Sequence, residues 1–320
     1  MKKLVSLSAV LILLFIGCTV KFDLLGEKDI KEVVLIESKA KDKILVVDVS
    51  GILGTTLRYG LFEREGDILS QVYYRLQLAA EDSNVKGIIL RLDTPGGEVT
   101  ASDILYNEIL KFREETTKPV VTLMMGIAAS GGYYVASASD HIIAHPSTIT
   151  GSIGVISIFP NLQELLSKIG VEVNVIKSGE LKDSGSSFRD MTEEEKALFQ
   201  SIIDELYQKF LDVVLHGRGN ALSLDELKTL ADGRIYTARQ AHKLKLVDEI
   251  GYFDAALEKV KILARIRDAK VITYTYYPNK KTNLYAQSQA PEVFEEDGFK
   301  EVFKSLKSGF YYLWLPQASY

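Results

Sequence analysis

The stretch that decides the fold is Met125-Gly126-Ile127-Ala128-Ala129-Ser130-Gly131-Gly132-Tyr133-Tyr134. The apolar run Val120 to Met125 predicts a strand that leads into small residues and delivers Ser130 where a helix begins. A serine at such a junction can present its hydroxyl at the edge of a sheet, where the amides of the first helical turn face an oxyanion. Most Ser-Gly-Gly runs are instead a capping serine followed by a flexible turn, so the motif alone leaves both interpretations open.

Apolar strands alternate with amphipathic helices around this stretch. The predicted strands span residues 43–49, 87–92, 119–125, 141–144, 149–157 and 171–176. The predicted helices between them span residues 67–80, 102–115, 130–139 and 161–169. Alternation of this kind predicts an α/β fold with largely parallel strand pairing.

The pattern becomes helical from Thr192 onward. Thr192 with Glu195 forms a capping box that predicts a helix running to about residue 216, and Ser223 with Glu226 repeats the signature. Two more helices are predicted, over residues 237–246 and 254–267, followed by a strand over residues 271–277. The second half of the chain is therefore expected to be mainly helical.

The last segment, residues 278–320, divides into a polar linker and an aromatic end. Residues 279–292 lack periodicity, whereas residues 293–315 mix aromatic side chains with lysines. The aromatic part predicts a C-terminal helix that docks on its own domain, on a neighbouring subunit or on a membrane surface.

Composition excludes several classes of function. A chain of 320 residues with 47% hydrophobic and 25% charged residues can bury a full core. A net charge of −5 gives no electrostatic reason to expect nucleic acid as a partner. The sequence contains no P-loop, no zinc-finger spacing and no metal-type cluster, so we expect neither a metal nor any other cofactor.

The N-terminal 20 residues have the parts of an export signal. Lys2 and Lys3 precede a short apolar run that ends at Cys18. The sequence Leu14-Phe15-Ile16-Gly17-Cys18 resembles a bacterial lipobox, in which the cysteine is lipidated; an uncleaved anchor over residues 4–20 is the alternative. Both interpretations predict membrane attachment with the body of the protein exported. After this segment, the sequence pattern predicts a tether over residues 21–42 and a domain over residues 43–277.

A serine nucleophile needs a base to take its proton, and the histidines are poor candidates. His141 and His145 follow the predicted ten-residue helix, whose far end is roughly 15 Å from Ser130. A lysine made neutral by desolvation can serve instead. Lys177 and Lys182 lie on the loop after the strand predicted over residues 171–176, and residue chemistry alone does not choose between them.

Four stretches together resemble the signal peptide peptidase A family of membrane-bound serine proteases. They are Asp93-Thr94-Pro95-Gly96-Gly97-Glu98-Val99, Ala128 to Tyr134, Thr150-Gly151-Ser152-Ile153-Gly154-Val155, and Ser178 to Asp183 followed by Phe188 to Thr192. The resemblance covers roughly residues 43–265 in the right order. It implies a crotonase-like (ClpP-like) α/β fold with repeated ββα units and a helical C-terminal part.

The resemblance also implies a role for each matching position. Ser130 matches the nucleophile, Lys182 the general base and Ser152 a serine that orients the lysine, while Lys177 is the fallback base. The separation of 52 residues (182 − 130) between nucleophile and base is of the kind seen in single-domain members.

Three glycines match the oxyanion hole of the family. The amides of Gly97 and Gly131 would bind the oxyanion, with Gly96 as their neighbour. A plain turn is the alternative interpretation of the Pro-Gly-Gly sequence.

The resemblance implies a membrane-attached serine endopeptidase that degrades cleaved signal peptides and other short apolar peptides. Its catalytic domain would lie on the extracytoplasmic side of a bacterial cell membrane, and the chain would form a homo-oligomer. Two alternatives stay open. One is a crotonase-fold enzyme that acts on acyl thioesters without a serine nucleophile, and the other is a catalytically silent membrane scaffold.

Overall fold

The computed structural model describes residues 30–54, 68–275 and 309–314. The strands of this part of the chain are β1 Lys31–Ile36, β2 Lys43–Ser50, β3 Val85–Thr94, β4 Gly96–Glu98, β5 Val120–Ala129, β6 His141–Ala144, β7 Ile149–Gly151, β8 Ile156–Ser157, β9 Ile235–Thr237, β10 Glu249–Ile250, β11 Lys270–Thr275 and β12 Phe310–Leu313. The α-helices are α1 Ile68–Glu81, α2 Val99–Thr116, α3 Gly131–Ala136, α4 Gln163–Lys168, α5 Glu193–Arg218, α6 Leu224–Leu230, α7 Ala238–Lys243 and α8 Phe253–Ala264. Short 3-10 helices span Glu180–Asp183 and Gly219–Ala221.

The main sheet has the strand order β1-β11-β2-β3-β5-β6-β10, and β7 extends it beside the end of β5. Strands β2, β3, β5 and β6 are mutually parallel, and β1 joins the edge antiparallel to β11. A second, three-stranded sheet has the order β4-β12-β8. The parallel pairing and the run of helices from α5 to α8 confirm the predicted α/β class with a helical C-terminal part.

Both faces of the main sheet are covered, which explains the continuous apolar runs in its strands. Leu45 and Val47 of β2 point into the larger core beneath α1, α2 and α3. Ile44 and Val46 alternate with them and pack into a smaller core with Val260 of α8. The carboxyl ends of these parallel strands meet at one edge of the sheet, where the loops that follow them can carry functional groups.

Four predicted segments differ from the structure. The strand predicted over residues 149–157 is split into β7 and β8, which belong to different sheets. Residues 31–36, predicted to lie in a tether, form β1 because β11 offers them an antiparallel partner. Residues 171–176, predicted as a strand, are exposed and have no strand partner among the described residues. The aromatic end, predicted as a helix, contains a strand at residues 310–313 because β4 and β8 pair with it on both sides.

Several expectations lie outside the described residues. These are the export signal with Cys18, the part of the tether before residue 30, and the linker over residues 279–292. Within the part of the chain that the structure describes, no helix has the length and apolar character needed to cross a membrane.

Candidate active site

Ser130 stands at the junction between β5 and α3 in an unusual backbone conformation. Its φ of 52° and ψ of −115° are rarely adopted by a residue with a side chain. The Ser130 amide donates to the Gly151 carbonyl at 2.8 Å, and the Ser130 carbonyl accepts from the Tyr134 amide at 2.9 Å. The hydroxyl makes no capping hydrogen bond to the helix, so Ser130 is not the capping serine that the alternative interpretation required.

A bulge in β5 sets the position of Ser130. The pairing of β3 with β5 passes from Leu92 opposite Met124 to Thr94 opposite Ala128, so β5 holds two extra residues there. The Asp93 carboxylate accepts from the Ile127 amide at 2.9 Å and fills the gap. Asp93 was recognised only as the first residue of a motif, and its hydrogen bond to the bulge of β5 was not predicted.

The glycine pair of β4 directs one amide away from Leu53. The Leu53 amide donates to the Gly96 carbonyl at 2.9 Å, and the Glu98 amide donates to the Leu53 carbonyl at 2.8 Å. Because neighbouring residues of a strand point their backbone groups to opposite sides, the Gly97 amide faces away from Leu53. A donor at that position is available to a group lying against β4.

The structure brings Gly96, Gly97 and Gly131 together. A Cβ atom built on Gly96 would lie only 2.6 Å from the Gly131 amide nitrogen, so only glycine fits there, and the φ of 97° at Gly96 also favours glycine. Gly131 is the first residue of α3, so its amide has no partner within the helix. The amides of Gly97 and Gly131 therefore lie near one another at one small cradle between β4 and the start of α3.

Ser152 lies beside Ser130 at the ends of adjacent strands. Gly151, the last residue of β7, pairs with Ala129 of β5, so the next residue of each strand is a serine. Ser152 has a φ of 51°, is buried, and donates its amide to the Arg234 carbonyl at 2.8 Å. Two strained, buried serines thus meet at one corner of the sheet.

Lys182 forms no hydrogen bond with Ser130 within the single chain. It lies on the 3-10 helix Glu180–Asp183 and is exposed. Its ammonium group has no hydrogen bond or ion pair with any described residue. The dyad implied by the resemblance is therefore incomplete in one copy of the chain.

Lys177, the fallback base, is held as an ammonium. Its Nζ donates to the Asp183 carboxylate at 3.0 Å and to the Glu180 carbonyl at 2.8 Å. The hydrogen bond to Asp183 raises the pKa of Lys177, which opposes loss of the proton. A general base needs the opposite shift, so the structure disfavours Lys177 for that role.

The loop that carries Lys182 is fastened to the start of α5 by one arginine. Arg189 donates to the Asp183 carboxylate at 2.7 Å and to the Glu195 carboxylate at 2.9 Å. The Arg189 guanidinium and the Thr192 amide lower the pKa of the Glu195 carboxyl to about 2, and Glu195 also completes the predicted capping box with Thr192. Lys182 is thus mounted on an anchored loop, although its own side chain is free in solvent.

Neither histidine near Ser130 in sequence contacts it. His141 lies on β6, where its ring nitrogens are 3.7 Å from Asp248 and 3.4 Å from Glu249. His145 bonds the Ser147 hydroxyl at 2.7 Å, and its ring packs on Tyr252. Neither His141 nor His145 accordingly forms a dyad with Ser130.

Comparison with known proteins identifies the family. The family model described as Peptidase family S49 matches residues 112–267, and the Clp protease model matches residues 63–149. A presumed signal peptide peptidase SppA of Enterococcus faecium is 36% identical over 275 residues, which cover 86% of this chain and 78% of that protein. The chain belongs to the signal peptide peptidase A family, peptidase family S49.

Longer relatives match over part of their length. Protease 4 of Haemophilus influenzae is 36% identical over 229 residues, which cover 71% of this chain and 35% of that protein. The chloroplastic serine protease SPPA of Arabidopsis thaliana is 34% identical over 218 residues, covering 68% of this chain and 32% of that protein. This member of family S49 is a serine endopeptidase with a ClpP-like fold, in agreement with the prediction.

Proposed function

We propose that Ser130 is the nucleophile of this endopeptidase and Lys182 its general base. The observation that carries the proposal is the strained Ser130 beside the cradle formed by the Gly97 and Gly131 amides. Lys182 takes the hydroxyl proton as Ser130 attacks a peptide carbonyl, and it then gives the proton to the leaving amine. Water hydrolyses the acyl-enzyme in the same cradle. Ser152 orients the lysine.

A second copy of the chain supplies Lys182 to Ser130 in this proposal. The segment around Lys182 exposes apolar side chains that an isolated chain leaves in water. They are Ile158, Leu162, Leu165, Ile169, Val171, Val173, Val175, Ile176, Leu181 and Phe188. Packing of this segment on a neighbouring copy removes that surface from water and desolvates the ammonium, which lowers a lysine pKa and favours the free amine.

The substrates are cleaved signal peptides and other short apolar peptides, and the protein works while attached to a membrane. The apolar run with its N-terminal lysines and Cys18 supports export and attachment of the catalytic domain on the extracytoplasmic side. Mass spectrometry of the mature protein tests the attachment. A lipid-modified Cys18 supports a lipoprotein, an intact Met1 supports an uncleaved anchor, and cleavage elsewhere without lipid contradicts both.

The function is tested with a fluorophosphonate probe and a quenched apolar peptide on full-length oligomer. We expect the probe to label Ser130, and Ser130→Ala and Lys182→Ala to abolish peptide hydrolysis without changing the sedimentation profile. Lys177→Ala is the matched control and retains activity. Turnover of acyl thioesters with an unlabelled Ser130 would point to a different crotonase-fold enzyme, and a silent wild type would support the scaffold.

A further inference from the structure

Thr94 is a buried polar residue beside the glycine cradle. It is the last residue of β3, is fully buried, and stands opposite Ala128 in the first pair after the bulge of β5. Pro95 follows it and has no amide hydrogen, so the next amide along the chain is that of Gly96. Because a buried hydroxyl is costly to leave unpaired, its hydrogen-bond partners show what it holds in place.

The Thr94 hydroxyl connects two backbone segments, one as an acceptor and one as a donor. It accepts from the Gly96 amide at 3.1 Å and donates to the Gly51 carbonyl at 2.5 Å. The first bond closes the turn at Gly96, where a serine or threonine hydroxyl commonly binds the amide two residues on. Gly51 leads to Leu53, which bonds the residues of β4 on both sides of Gly97. The hydroxyl therefore restrains the Gly97 amide from two directions.

The Thr94 methyl group contacts the segment that carries the other amide of the cradle. A Cβ atom built on Gly132 would lie only 2.8 Å from the Thr94 Cγ2 atom and 3.0 Å from the Thr94 carbonyl oxygen. Gly132 follows Gly131 in the first turn of α3. This close approach fixes the distance between the end of β3 and the start of α3. One side chain thus contacts the backbone on both sides of the cradle.

We propose that Thr94 is the positioning residue of the oxyanion hole. Its hydroxyl sets the direction of the Gly97 amide, and its methyl group sets the position of the Gly131 amide, so that both donors face one point. Thr94 touches no substrate and acts through these two amides. Donors held in place before charge develops need no reorganisation during the reaction, which is the source of their effect. The proposal deepens the proposed function and rests on it for the role of the cradle.

Two substitutions separate the hydroxyl from the methyl group. In Thr94→Val a methyl group replaces the hydroxyl 2.5 Å from the Gly51 carbonyl, so that segment must move, and the Gly96 amide loses its acceptor. Loss of a whole donor costs about 10²–10³ in kcat. We expect the full-length Thr94→Val oligomer to lose at least about ten-fold in kcat with KM within about two-fold of wild type. Thr94→Ser keeps both bonds and should stay within about three-fold of wild type.

An apolar peptide aldehyde gives a readout that a structural role alone would not move. Its adduct with Ser130 is tetrahedral and places an oxyanion in the cradle, so its Ki should rise in Thr94→Val by the factor by which kcat/KM falls. An uncleaved peptide should bind the Ser130→Ala, Thr94→Val chain as tightly as it binds Ser130→Ala alone. The loss would then lie in the transition state and not in substrate binding.

Thr122→Val is the matched control. Thr122 is a fully buried threonine near the start of β5, and its hydroxyl bonds the Ser139 hydroxyl at 2.6 Å. Its substitution should lower stability in urea unfolding without changing kcat or the aldehyde Ki, because it supports neither amide of the cradle.

Thr94→Ala adds no bulk and is the second variant if Thr94→Val does not fold. It removes the hydroxyl and the methyl group together, so the same losses in kcat and in aldehyde affinity are expected. A folded Thr94→Val or Thr94→Ala protein with wild-type kcat, or with wild-type aldehyde Ki, would overturn the proposal. Peptide hydrolysis and probe labelling of Ser130 in the wild type would in that event leave the proposed function standing. A wild type without either activity would overturn both.

Discussion

Gly131→Ala is expected to remove catalysis while leaving the fold in place. The φ of Gly131 is not in the left-handed region, so its backbone accepts alanine. The new Cβ would lie 3.1 Å from the Gly96 Cα, 3.0 Å from the Tyr312 carbonyl oxygen, and closer still to the Ser102 hydroxyl. The methyl group therefore enters the space of the oxyanion and pushes its donor away.

The size of the effect follows from these contacts. Loss of one oxyanion donor costs about 10²–10³ in kcat, so kcat/KM for a quenched apolar peptide should fall by about that factor. Overpacking against Ser102 should destabilise the fold by about 1–3 kcal/mol, measured by denaturant unfolding. Ser102→Ala removes the nearest obstacle, so the double variant should regain stability without regaining activity.

A matched control lies on β5, the strand that leads into α3. Gly126 is exposed, and a Cβ built on it would lie 3.3 Å from the Asp93 carboxylate, outside the cradle. Gly126→Ala should therefore keep activity within about two-fold of wild type, as expected for a surface change. A folded Gly131→Ala protein with wild-type kcat/KM would refute the assignment of this amide to the oxyanion hole.

Three further predictions concern Lys182 and the residues that position it or its loop. Lys182→Met should abolish hydrolysis, whereas Lys177→Met should reduce it by less than about ten-fold, because the latter ammonium only braces its loop; steady-state kinetics decides. Ser152→Ala should lower kcat more than it raises KM and shift the ascending acid limb of the pH–rate profile, where the general base loses its proton, and an unchanged profile would contradict an orienting role. The Glu195 pKa is lowered from 4.5 to about 2, so its contribution to stability is full above pH 4.5 and lost as pH falls toward 2. Arg189→Gln should weaken that acid dependence but not remove it, because the Thr192 amide still bonds the Glu195 carboxylate. Urea unfolding at several pH values measures the change, and an unaltered dependence would exclude Arg189 as a source.

Local patterns in the sequence predicted most of the fold. The buried strands around residues 43–49, 87–92 and 119–125 read as continuous apolar runs because helices cover both faces of the sheet. The capping boxes at Thr192 and Ser223 form as predicted, since a box depends only on residues three positions apart in the chain. Features set by short-range chemistry were therefore accessible without a structure.

The errors arose where a distant partner decides the conformation. Residues 31–36 become a strand only because β11 lies beside them, and residues 310–313 only because β4 and β8 enclose them. Residues 171–176 have a strand-like pattern with no strand partner in the described part of a single chain. Long-range pairing leaves little trace in a local window, which explains all three.

In the candidate site too, residues within motifs were predicted, whereas features that depend on a distant partner were not. The motifs located Ser130, Ser152 and the glycines, and the structure places them at one corner of the sheet. The bracing carboxylate of Asp93 was missed because its partner, Ile127, lies on another strand. The exposure of Lys182 in one copy was also not foreseen, because no motif reports which copy of a chain completes a site.

Mixing two inactive variants tests the shared dyad most directly. Full-length Ser130→Ala and Lys182→Ala proteins are combined in equal amounts, dissociated, reassembled and assayed for peptide hydrolysis, with subunit exchange verified by native mass spectrometry. If the lysine reaches across from a neighbouring copy, about a quarter of the sites regain both residues, so activity should return to about a quarter of wild type. Exchanged oligomers that stay as inactive as either parent would contradict the account.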